Sequence, residues 1–519
     1  MAIKILTDKK NYEFNKVDLD HPNIYSLLKS IPEIEFIAPC GGGQRCGKCK
    51  IKLLNDQSVM TDGERKFLKT DEIENNVRLA CFVPLIDNQT IDLRNIKAVQ
   101  AIMTDNRLPQ SKIVVNPLIR KGYGVAVDIG TTTVAAVLYD LQTAERVEVT
   151  SDINRQSRFG ADVISRIEFS SKAENLELIQ KTILEEVNEL IGRLCEKSNL
   201  VRDDIQLVVV SGNTTMQHIF MGLDPTGIGV APFTPVTLDT HVLDPEDSHL
   251  KSAIEINKDG KVVVCASIAS YVGADILAGI LATGIHLADK PSILLDVGTN
   301  GEIVLASKDM ILSCATAAGP AFEGANISCG VAGIQGAIDK VDFNDPKKFT
   351  TIGNKEPIGI CGSGLIDVIY SMLKNGIIEE SGYMEDYDSF EITKDVSISQ
   401  KDIREVQNAK AAIAAGLSIL IKRSGYSYDD IDKLYLAGGF GTVLNIESTA
   451  GIGLFPKELA HKVVAAGNTS LTGTIMIMLD KSTLDVLEDI KEKTNYIELS
   501  QDSEFTDEYV DNMFFELWF

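Results

Sequence analysis

The chain has 519 residues, of which 44% are hydrophobic, so two or three globular domains are expected. Its formal net charge is −24, but residues 1–98 carry 15 Lys and Arg against 14 Asp and Glu, so the excess acid lies beyond residue 98. A surface this acidic excludes an electrostatic grip on nucleic acid or anionic lipid. We therefore expect proteins or small molecules as partners, and a domain boundary near residue 98.

The N-terminal sequence MAIKILTDKK lacks the apolar stretch and small-residue cleavage site of a signal peptide, and the chain has no run of 18 apolar residues. These features predict a cytoplasmic protein without membrane attachment. In a reducing compartment the nine cysteines are not expected to form structural disulfides. Clustered cysteines then indicate a metal site, and isolated ones indicate burial.

Residues 1–98 have the pattern of a small β-grasp domain. Short apolar runs IKIL and YEF predict strands, HPNIYSLLKSI predicts a helix, and the later runs IKLL and IDL predict further strands. Residues 99–121 contain two prolines and mix polar with apolar residues, which predicts a partly extended linker.

Four cysteines cluster in this first domain, at Cys40, Cys46, Cys49 and Cys81. The first three form C-x5-C-x2-C on a loop whose glycines allow backbone amides to point at cluster sulfurs. A zinc site usually pairs two C-x2-4-C units, whereas Cys81 stands alone after 31 residues. We therefore predict a [2Fe-2S] cluster in a ferredoxin-like domain. The five-residue gap departs from the plant-type C-x4-C-x2-C and resembles adrenodoxin-type ferredoxins.

Two segments of the remaining chain, 122–519, share one pattern: VAVDIGTTTVAAVLYD at 125–140 and LLDVGTNGEIVLA at 294–306. In each, an apolar β run ends in Asp, Gly follows two residues later, and polar residues form a turn before a second apolar run. Such a hairpin tip can wrap a phosphate, and its aspartate can hold Mg²⁺ directly or through water. A third segment, IDKLYLAGGFGTVL at 431–444, is an apolar strand that ends in glycines.

In this order, the three segments resemble the phosphate-1, phosphate-2 and adenosine motifs of the acetate and sugar kinase, Hsp70 and actin superfamily. That resemblance implies two RNase-H-like α/β subdomains within 122–519, with ATP in the cleft between them. It places the following residues at ATP and Mg²⁺: Asp128, Gly130, Thr131 and Thr132 from one side, Asp296, Gly298, Thr299, Asn300 and Gly301 from the other, and Gly438 and Gly439 at adenosine.

Further segments, among them NRQSRFGADVISRI, VVVSGNTTMQHIFMGLDP, AAGPAFEGANISCG, PIGICGSGLIDVI and AAGNTSLTGT, narrow the family. Together with the cysteine-rich first domain, they resemble the reductive activators of corrinoid proteins. The resemblance implies ATP-dependent reduction of Co(II) cobalamin to Co(I), in an anaerobe. It further implies a corrinoid protein of a methyltransferase system as partner, a low-potential electron donor and a homodimer.

Several assignments stay open at this level. The candidate acids that orient the hydrolytic water are Asp128, Asp296, Glu302 and Glu323. For either glutamate, the sequence is equally compatible with a structural role. Apolar, glycine-rich surroundings indicate buried thiols at Cys314, Cys329 and Cys361. The alternative is a [4Fe-4S] cluster between subunits, as in activators of acyl-CoA dehydratases. A hydrogen-bonded core position is favoured for His218 over a cobalt ligand. The competing functions are a dehydratase-type activator, a small-molecule kinase with an added redox domain, and a nucleotide-gated redox sensor.

Overall fold

The computed structural model describes residues 3–7, 10–14, 21–31, 34, 36, 44, 49–55, 58–68, 70–94, 115–385, 388–438 and 444–515. Cys40, Cys46, Gly439 and most of the predicted linker lie outside these ranges. Within them, no helix is both long and apolar enough to cross a membrane.

The N-terminal part is a five-stranded mixed sheet with the strand order β2-β1-β5-β3-β4. Its strands β1 and β5 are parallel, and its other pairs are antiparallel. A helix at Ile24–Ser30 begins with a capping box of Asn23 and Ser26 and buries Ile24, Leu27 and Leu28 against the sheet. The strands are β1 (Ile3–Leu6), β2 (Asn11–Phe14), β3 (Lys50–Leu53), β4 (Val77–Leu79) and β5 (Gln89–Asp92), and the further helices are Asp62–Arg65 and Thr70–Glu74.

A first lobe follows, with a six-stranded sheet in the order β10-β11-β9-β6-β7-β8. The strands in the middle of this sheet are buried over almost their whole length because helices cover the sheet. The strands are β6 (Tyr123–Ile129), β7 (Thr133–Asp140), β8 (Arg146–Ile153), β9 (Ile205–Gly212), β10 (His241–Leu243) and β11 (Lys261–Val264). The helices are Val163–Phe169, Ala173–Ser198, Thr214–Phe220, Thr226–Gly229 and Ala274–Thr283, with 3-10 turns at Arg155–Arg158, Arg202–Asp204 and Ile285–Leu287.

The second lobe has a six-stranded sheet in the order β21-β20-β12-β13-β14-β22 and two small sheets. The strands are β12 (Ser292–Val297), β13 (Gly301–Ser307), β14 (Met310–Thr316), β15 (Ala337–Asp342), β16 (Asp345–Thr351), β17 (Gly359–Ile360), β18 (Ser389–Glu391), β19 (Ser397–Ser399), β20 (Leu434–Ala437), β21 (Val463–Gly467) and β22 (Thr494–Tyr496). The helices are Gly362–Lys374, Gln400–Ser424, Ile446–Gly451, Thr469–Leu479, Thr483–Lys493 and Phe505–Asp511, with 3-10 turns at Pro320–Glu323, Ile352–Asn354, Tyr428–Asp430, Lys457–Lys462 and Leu499–Gln501.

The two large sheets repeat one topology. In each, the first three strands form an antiparallel meander, and the first strand also pairs in parallel with a later strand, β9 or β20. That later strand pairs in parallel with one more, β11 in the first lobe and β21 in the second. The first strands are β6 and β12, which carry the two repeated sequence motifs. The internal repeat seen in the sequence is therefore a repeat of the fold.

The helices Ala274–Thr283 and Thr469–Leu479 cross between the lobes and share one core with both sheets. They approach so closely that a Cβ at Gly473 would lie 2.1 Å from the carbonyl oxygen of Ala278. Only glycine fits there. The crossing brings the N-terminal ends of both helices to the gap between the two hairpins.

A buried ion pair fixes the strand that leads to Cys81. Glu64 and Arg78 are almost fully buried and make two hydrogen bonds, of 2.9 and 2.7 Å. Glu64 also accepts a 2.8 Å bond from the backbone of Leu79. This pair was not evident in the sequence, and neither were β4 or the short helices around Glu64.

We predict that Arg78→Ala will lower the local free energy of unfolding by about 3 kcal/mol or more, because it leaves the Glu64 carboxylate buried without its cation. Hydrogen exchange of the β3, β4 and β5 amides measures this. Lys4→Ala is the matched control, since Lys4 makes a solvent-exposed pair with Glu13 in the same sheet, and the loss of an exposed pair should have little effect. Equal effects of the two changes would contradict the prediction.

Candidate functional site

Two hairpin tips face each other across a cleft between the lobes. The Gly130 amide donates to the Thr133 carbonyl at 2.9 Å, and the Gly298 amide donates to the Asn300 carbonyl at 2.9 Å. A Cβ at Gly130 would lie 2.8 Å from the Thr133 oxygen, so this tip requires glycine. The tips leave their hydroxyl and amide side chains directed to the cleft.

The cleft has a volume of about 310 Å³. Its lining includes these residues singled out from the sequence: Asp128, Gly130, Thr131, Thr132, Asp296, Gly298, Thr299, Asn300, Glu302, Glu323 and Gly438. Gly301 differs from them. It is buried behind its hairpin, where a Cβ would lie 2.7 Å from Thr316 Oγ1 and 2.8 Å from Ile413 Cγ1, so it serves close packing.

Asp128 is held by the second lobe. Asn468 Nδ2 donates to one carboxylate oxygen at 2.9 Å, and Ser470 Oγ donates to the other at 2.7 Å. Both donors lie at the start of the crossing helix Thr469–Leu479. Burial raises the pKa of Asp128, and these hydrogen bonds oppose the rise.

Three more carboxyl groups share the floor of the cleft, although each keeps part of its surface open. Burial, and then the nearby Asp128, raise the pKa of Asp296 to about 7. Burial, Asp128 and Asp296 together raise the pKa of Asp275 to about 7. Glu302 lies opposite Asp296 in the β12–β13 hairpin, and burial, Asp275 and Asp296 raise its pKa well above the usual value. A divalent cation would relieve this repulsion.

Glu323 connects the two hairpins. Its Oε2 accepts hydrogen bonds from Thr132 Oγ1 at 3.2 Å and Thr299 Oγ1 at 3.1 Å. Burial raises its pKa, and the two hydroxyls oppose the rise. The carboxylate therefore holds the hydroxyls that the sequence motifs assign to phosphate.

Sequence reasoning missed several lining residues, and four of them bear directly on the acids and hydroxyls of the hairpins: Asp275, Asn213, Asn468 and Ser470. Asn213, Asn468 and Ser470 lie in segments that carry the family resemblance, but their spacing alone assigns no role. Asn213 Nδ2 donates to Thr131 Oγ1 at 3.0 Å. Asp275 lies two residues after Gly273 in YVGADILAGI. The only feature that could have indicated it is an acid at the start of an apolar helix.

In the N-terminal part, the fold brings Cys49 and Cys81 together. Both side chains are buried, and their sulfur atoms are 3.1 Å apart, beyond the roughly 2.05 Å of a disulfide. Two thiolates on one tetrahedral metal, with bonds of about 2.3 Å, stand about 3.8 Å apart. The pair therefore needs only a small separation to bind one metal ion.

The other cysteines differ in their surroundings. Burial raises the pKa of Cys314 and of Cys195, and it raises the pKa of Cys265 to about 12, as expected for inert core thiols. Cys361 is also buried, but it lines the cleft at the start of helix Gly362–Lys374. The prediction of a buried thiol is wrong for Cys329, which is partly exposed.

His218 is a core residue. Its Nδ1 lies 2.8 Å from the Thr214 carbonyl, its Nε2 accepts from the Val236 amide at 3.0 Å, and burial lowers its pKa. This is the hydrogen-bonded role favoured from the sequence.

The paired lobes and their cleft define a protein of the ASKHA type, a class that binds ATP between two such lobes. A family model described as the C-terminal domain of RACo, the ASKHA domain, matches residues 290–517, and one described as the RACo middle region matches residues 123–288. The chain is 35% identical over 422 residues to the corrinoid activation enzyme RamQ of Eubacterium limosum, covering 76% of this chain and 70% of that protein.

Two further proteins agree with this match. A [Co(II) methylated amine-specific corrinoid protein] reductase of Methanosarcina barkeri is 28% identical over 399 residues, which is 72% of each protein. The solved structure of a reductive activator for corrinoid, iron-sulfur protein has a TM-score of 0.71 and 29% identity, with 99% of this chain and 98% of that chain covered. The chain belongs to the family of reductive activators of corrinoid proteins, as its sequence motifs predict.

We predict that Gly438→Ala will weaken Mg-nucleotide binding tenfold or more, because Gly438 has a φ of 80° and its Cβ would lie 2.6 Å from Asp296 Oδ1. Gly425→Ala is the matched control. Its φ is 74°, but no atom lies within 4 Å of its Cβ, so only the backbone cost of about 1 kcal/mol is expected. Titration with a fluorescent nucleotide measures the difference, and equal affinities would refute the steric argument.

Proposed function

We propose that this protein reduces the Co(II) cobalamin of a partner corrinoid protein to Co(I), one electron at a time, with ATP as the energy source. One observation carries the proposal. A single chain combines two facing phosphate hairpins with a sheet that brings two buried thiols into contact. An ATP site and a metal-binding redox site in one molecule are what a reductive activator needs.

The N-terminal part, residues 1–98, is proposed to be a ferredoxin-like domain, followed by the linker 99–121 and the ATP-binding unit 122–519. The strand order of the described sheet and the contact of Cys49 with Cys81 support this division. Cys40 and Cys46 would complete a four-thiolate site. When bound there, a [2Fe-2S] cluster would supply the single electron that converts Co(II) to Co(I).

We predict two iron atoms per chain and no zinc in anaerobically reconstituted protein, and the loss of both irons in Cys81→Ser. Iron analysis with EPR of the reduced protein measures this. Cys265→Ser is the control, since this buried thiol lies in the first lobe and iron should be retained. Zinc in place of iron would refute the cluster, and more than two irons per chain would favour the dehydratase-activator alternative.

In the cleft, both sides are proposed to supply hydrogen-bond donors for phosphate and an aspartate for Mg²⁺. Thr131, Thr132, Thr299 and Asn300 would donate hydrogen bonds to phosphate oxygens, and Gly438 would lie against adenosine. Asp128 and Asp296 would hold Mg²⁺, largely through water. Within the described residues, no three acidic, His or Cys side chains converge closely enough to hold an ion alone. That fits Mg²⁺, which keeps several waters and shares its coordination with phosphates.

The acid that orients water is proposed to come from Asp275, Glu302 or Glu323, since all three line the cleft. For Glu323 the change on nucleotide binding can be stated. A phosphate would compete with its carboxylate for the hydrogen bonds that the Thr132 and Thr299 hydroxyls donate. Because Glu323 bonds to both hairpins, the same competition would make its hydrogen bonds to both depend on the terminal phosphate.

ATP is proposed to gate electron transfer, not to supply a phosphoryl group. A plant-type cluster has a potential near roughly −400 mV. An acceptor of lower potential makes transfer uphill by about 2.3 kcal/mol per 100 mV for one electron. Nucleotide binding and hydrolysis can offset such a gap by changing the acceptor's potential or the lifetime of the complex.

We predict that photoreduced protein will form Co(I) on a Co(II) corrinoid protein only with Mg-ATP, and that the Co(II) form will stimulate ATP hydrolysis while the methylated form will not. Absorption spectra of the corrinoid and phosphate release measure the two events. Equal Co(I) formation without nucleotide would contradict gating. Transfer of phosphate to a small molecule would instead show a kinase.

A further inference from the structure

We propose that residues 154–169 join the nucleotide site to the docking of the N-terminal domain, so that nucleotide binding and docking strengthen each other. The inference deepens the proposed function, because the docked domain is the one that would carry the cluster. It concerns regulation inside this chain and needs no partner protein.

The first part of the argument is a contact between the N-terminal domain and the first lobe, which we call the docking contact. Tyr25 Oη donates to the Arg158 carbonyl at 3.3 Å. Lys29 Nζ lies 4.9 Å from the ring centroid of Phe169 and 5.8 Å from that of Phe159. The two phenylalanine rings stack at 4.8 Å. Tyr25 and Lys29 both belong to helix Ile24–Ser30.

The docking contact desolvates its cation. Burial, and then the positive charge of Arg158, lower the pKa of Lys29. Aromatic rings compensate in part, since a cation over a ring face is stabilised most where water is excluded. The contact therefore withdraws the ammonium group of Lys29 in part from solvent.

The N-terminal end of the same helix is attached to the cysteine segment. The Tyr25 amide donates to the Ala80 carbonyl at 2.9 Å, and the Ile24 amide donates to the Val83 carbonyl at 2.9 Å. Asn23 Nδ2 donates to the Cys81 carbonyl at 3.2 Å. A shift of helix Ile24–Ser30 on the lobe therefore moves the Cys81 segment with it.

The lobe side of the docking contact is attached to the phosphate hairpin. Asn154 Nδ2 donates to the Gly130 carbonyl at 2.7 Å. Arg166, fully buried, donates from Nη2 to the Thr131 carbonyl at 2.6 Å and from Nε to the Gly160 carbonyl at 3.0 Å. Gly160 directly follows Phe159. The Arg166 guanidinium therefore holds both the phosphate hairpin and the backbone beside the stacked Phe159 ring.

Between these two attachments the segment is rigid. Its 3-10 turn Arg155–Arg158 is fixed to helix Ala173–Ser198, where the Arg155 amide donates to Glu186 Oε2 at 3.0 Å and Arg158 Nη2 donates to Thr182 Oγ1 at 3.0 Å. A close-packed element of this kind transmits displacement with little compression. An adjustment of Gly130 and Thr131 around a phosphate therefore reaches Arg158 and Phe159.

Thermodynamic linkage then fixes what must be observed. If nucleotide binding favours docking, docking must favour nucleotide binding by the same factor. The contact can be weakened from the N-terminal domain without touching the nucleotide site, because Tyr25 and Lys29 do not line the cleft. Couplings between sites are typically about 5-fold to 150-fold.

The test uses the full-length protein with its metal site loaded. Lys29→Ala should weaken the affinity for Mg-ADP about fivefold, and Tyr25→Phe should weaken it less in the same direction. Lys66→Ala, which removes an exposed lysine of the same domain, should leave affinity unchanged. In the wild type, a saturating non-hydrolysable Mg-ATP analogue should slow amide hydrogen exchange at residues 24–30 about fivefold.

Wild-type nucleotide affinity in folded Lys29→Ala, or unchanged exchange at residues 24–30, would overturn the inference while leaving ATP-dependent Co(I) formation intact. Should Lys29→Ala lose its iron, Phe169→Leu weakens the contact from the lobe side, and the same fivefold loss is expected. A wild-type protein that binds no Mg-nucleotide would overturn the proposed function and this inference together.

Discussion

The close crossing of helices Ala274–Thr283 and Thr469–Leu479 is the contact on which the cleft depends. Because Gly473 lies against the backbone of Ala278, the helix axes approach without an intervening side chain. That approach sets Asp275 at the start of one helix and Ser470 at the start of the other beside Asp128. A larger residue at position 473 would separate the helices, and with them the two hairpins.

The crossing also explains why carboxylates accumulate at one place. Each lobe contributes an aspartate at the end of its first strand, and the second hairpin adds Glu302 opposite Asp296, where the first hairpin has Ala135 opposite Asp128. Partly buried carboxyl groups with raised pKa values are costly in isolation. Their proximity is reasonable only in a site that takes up positive charge, and the Mg²⁺ of the proposed Mg-nucleotide would supply that charge. The neighbouring carboxyl groups therefore lower the stability of the fold and favour binding of a cation.

The sequence predicted the elements that are specified locally. The strands of the two hairpins lie within the predicted segments to within a few residues, because a buried strand ending in Asp-x-Gly is a short-range signal. The first-domain strands IKIL, YEF and IKLL and the helix near residue 24 were also predicted, from periodicity. Strand β4 was not, since its three residues depend on pairing with β3 and on the buried Glu64–Arg78 pair.

Long-range contacts could not be predicted in the same way. Asp275 reaches the cleft only because two helices, separated by almost two hundred residues, cross at glycine. Gly301 carries the motif pattern yet packs behind the hairpin, against Ile413 of a helix that is distant in sequence. The packing of Lys29 over Phe159 and Phe169 likewise joins two domains whose relative position no local pattern encodes. Local chemistry identified the hairpins; tertiary packing decided which residues face the cleft.

The strength of the docking contact matters for its role. A hydrogen bond to a backbone carbonyl and a cation over aromatic rings are each worth about 1 kcal/mol. A much stronger contact would hold the N-terminal domain permanently on the first lobe, where no nucleotide could alter its position. A much weaker one would leave the domain on its linker regardless of the nucleotide. Contacts in this range are comparable to the 1–3 kcal/mol of typical coupling between sites, so nucleotide binding can shift the balance. The polar and aromatic contacts among the described residues of the interface therefore suit a domain whose docking is proposed to respond to nucleotide.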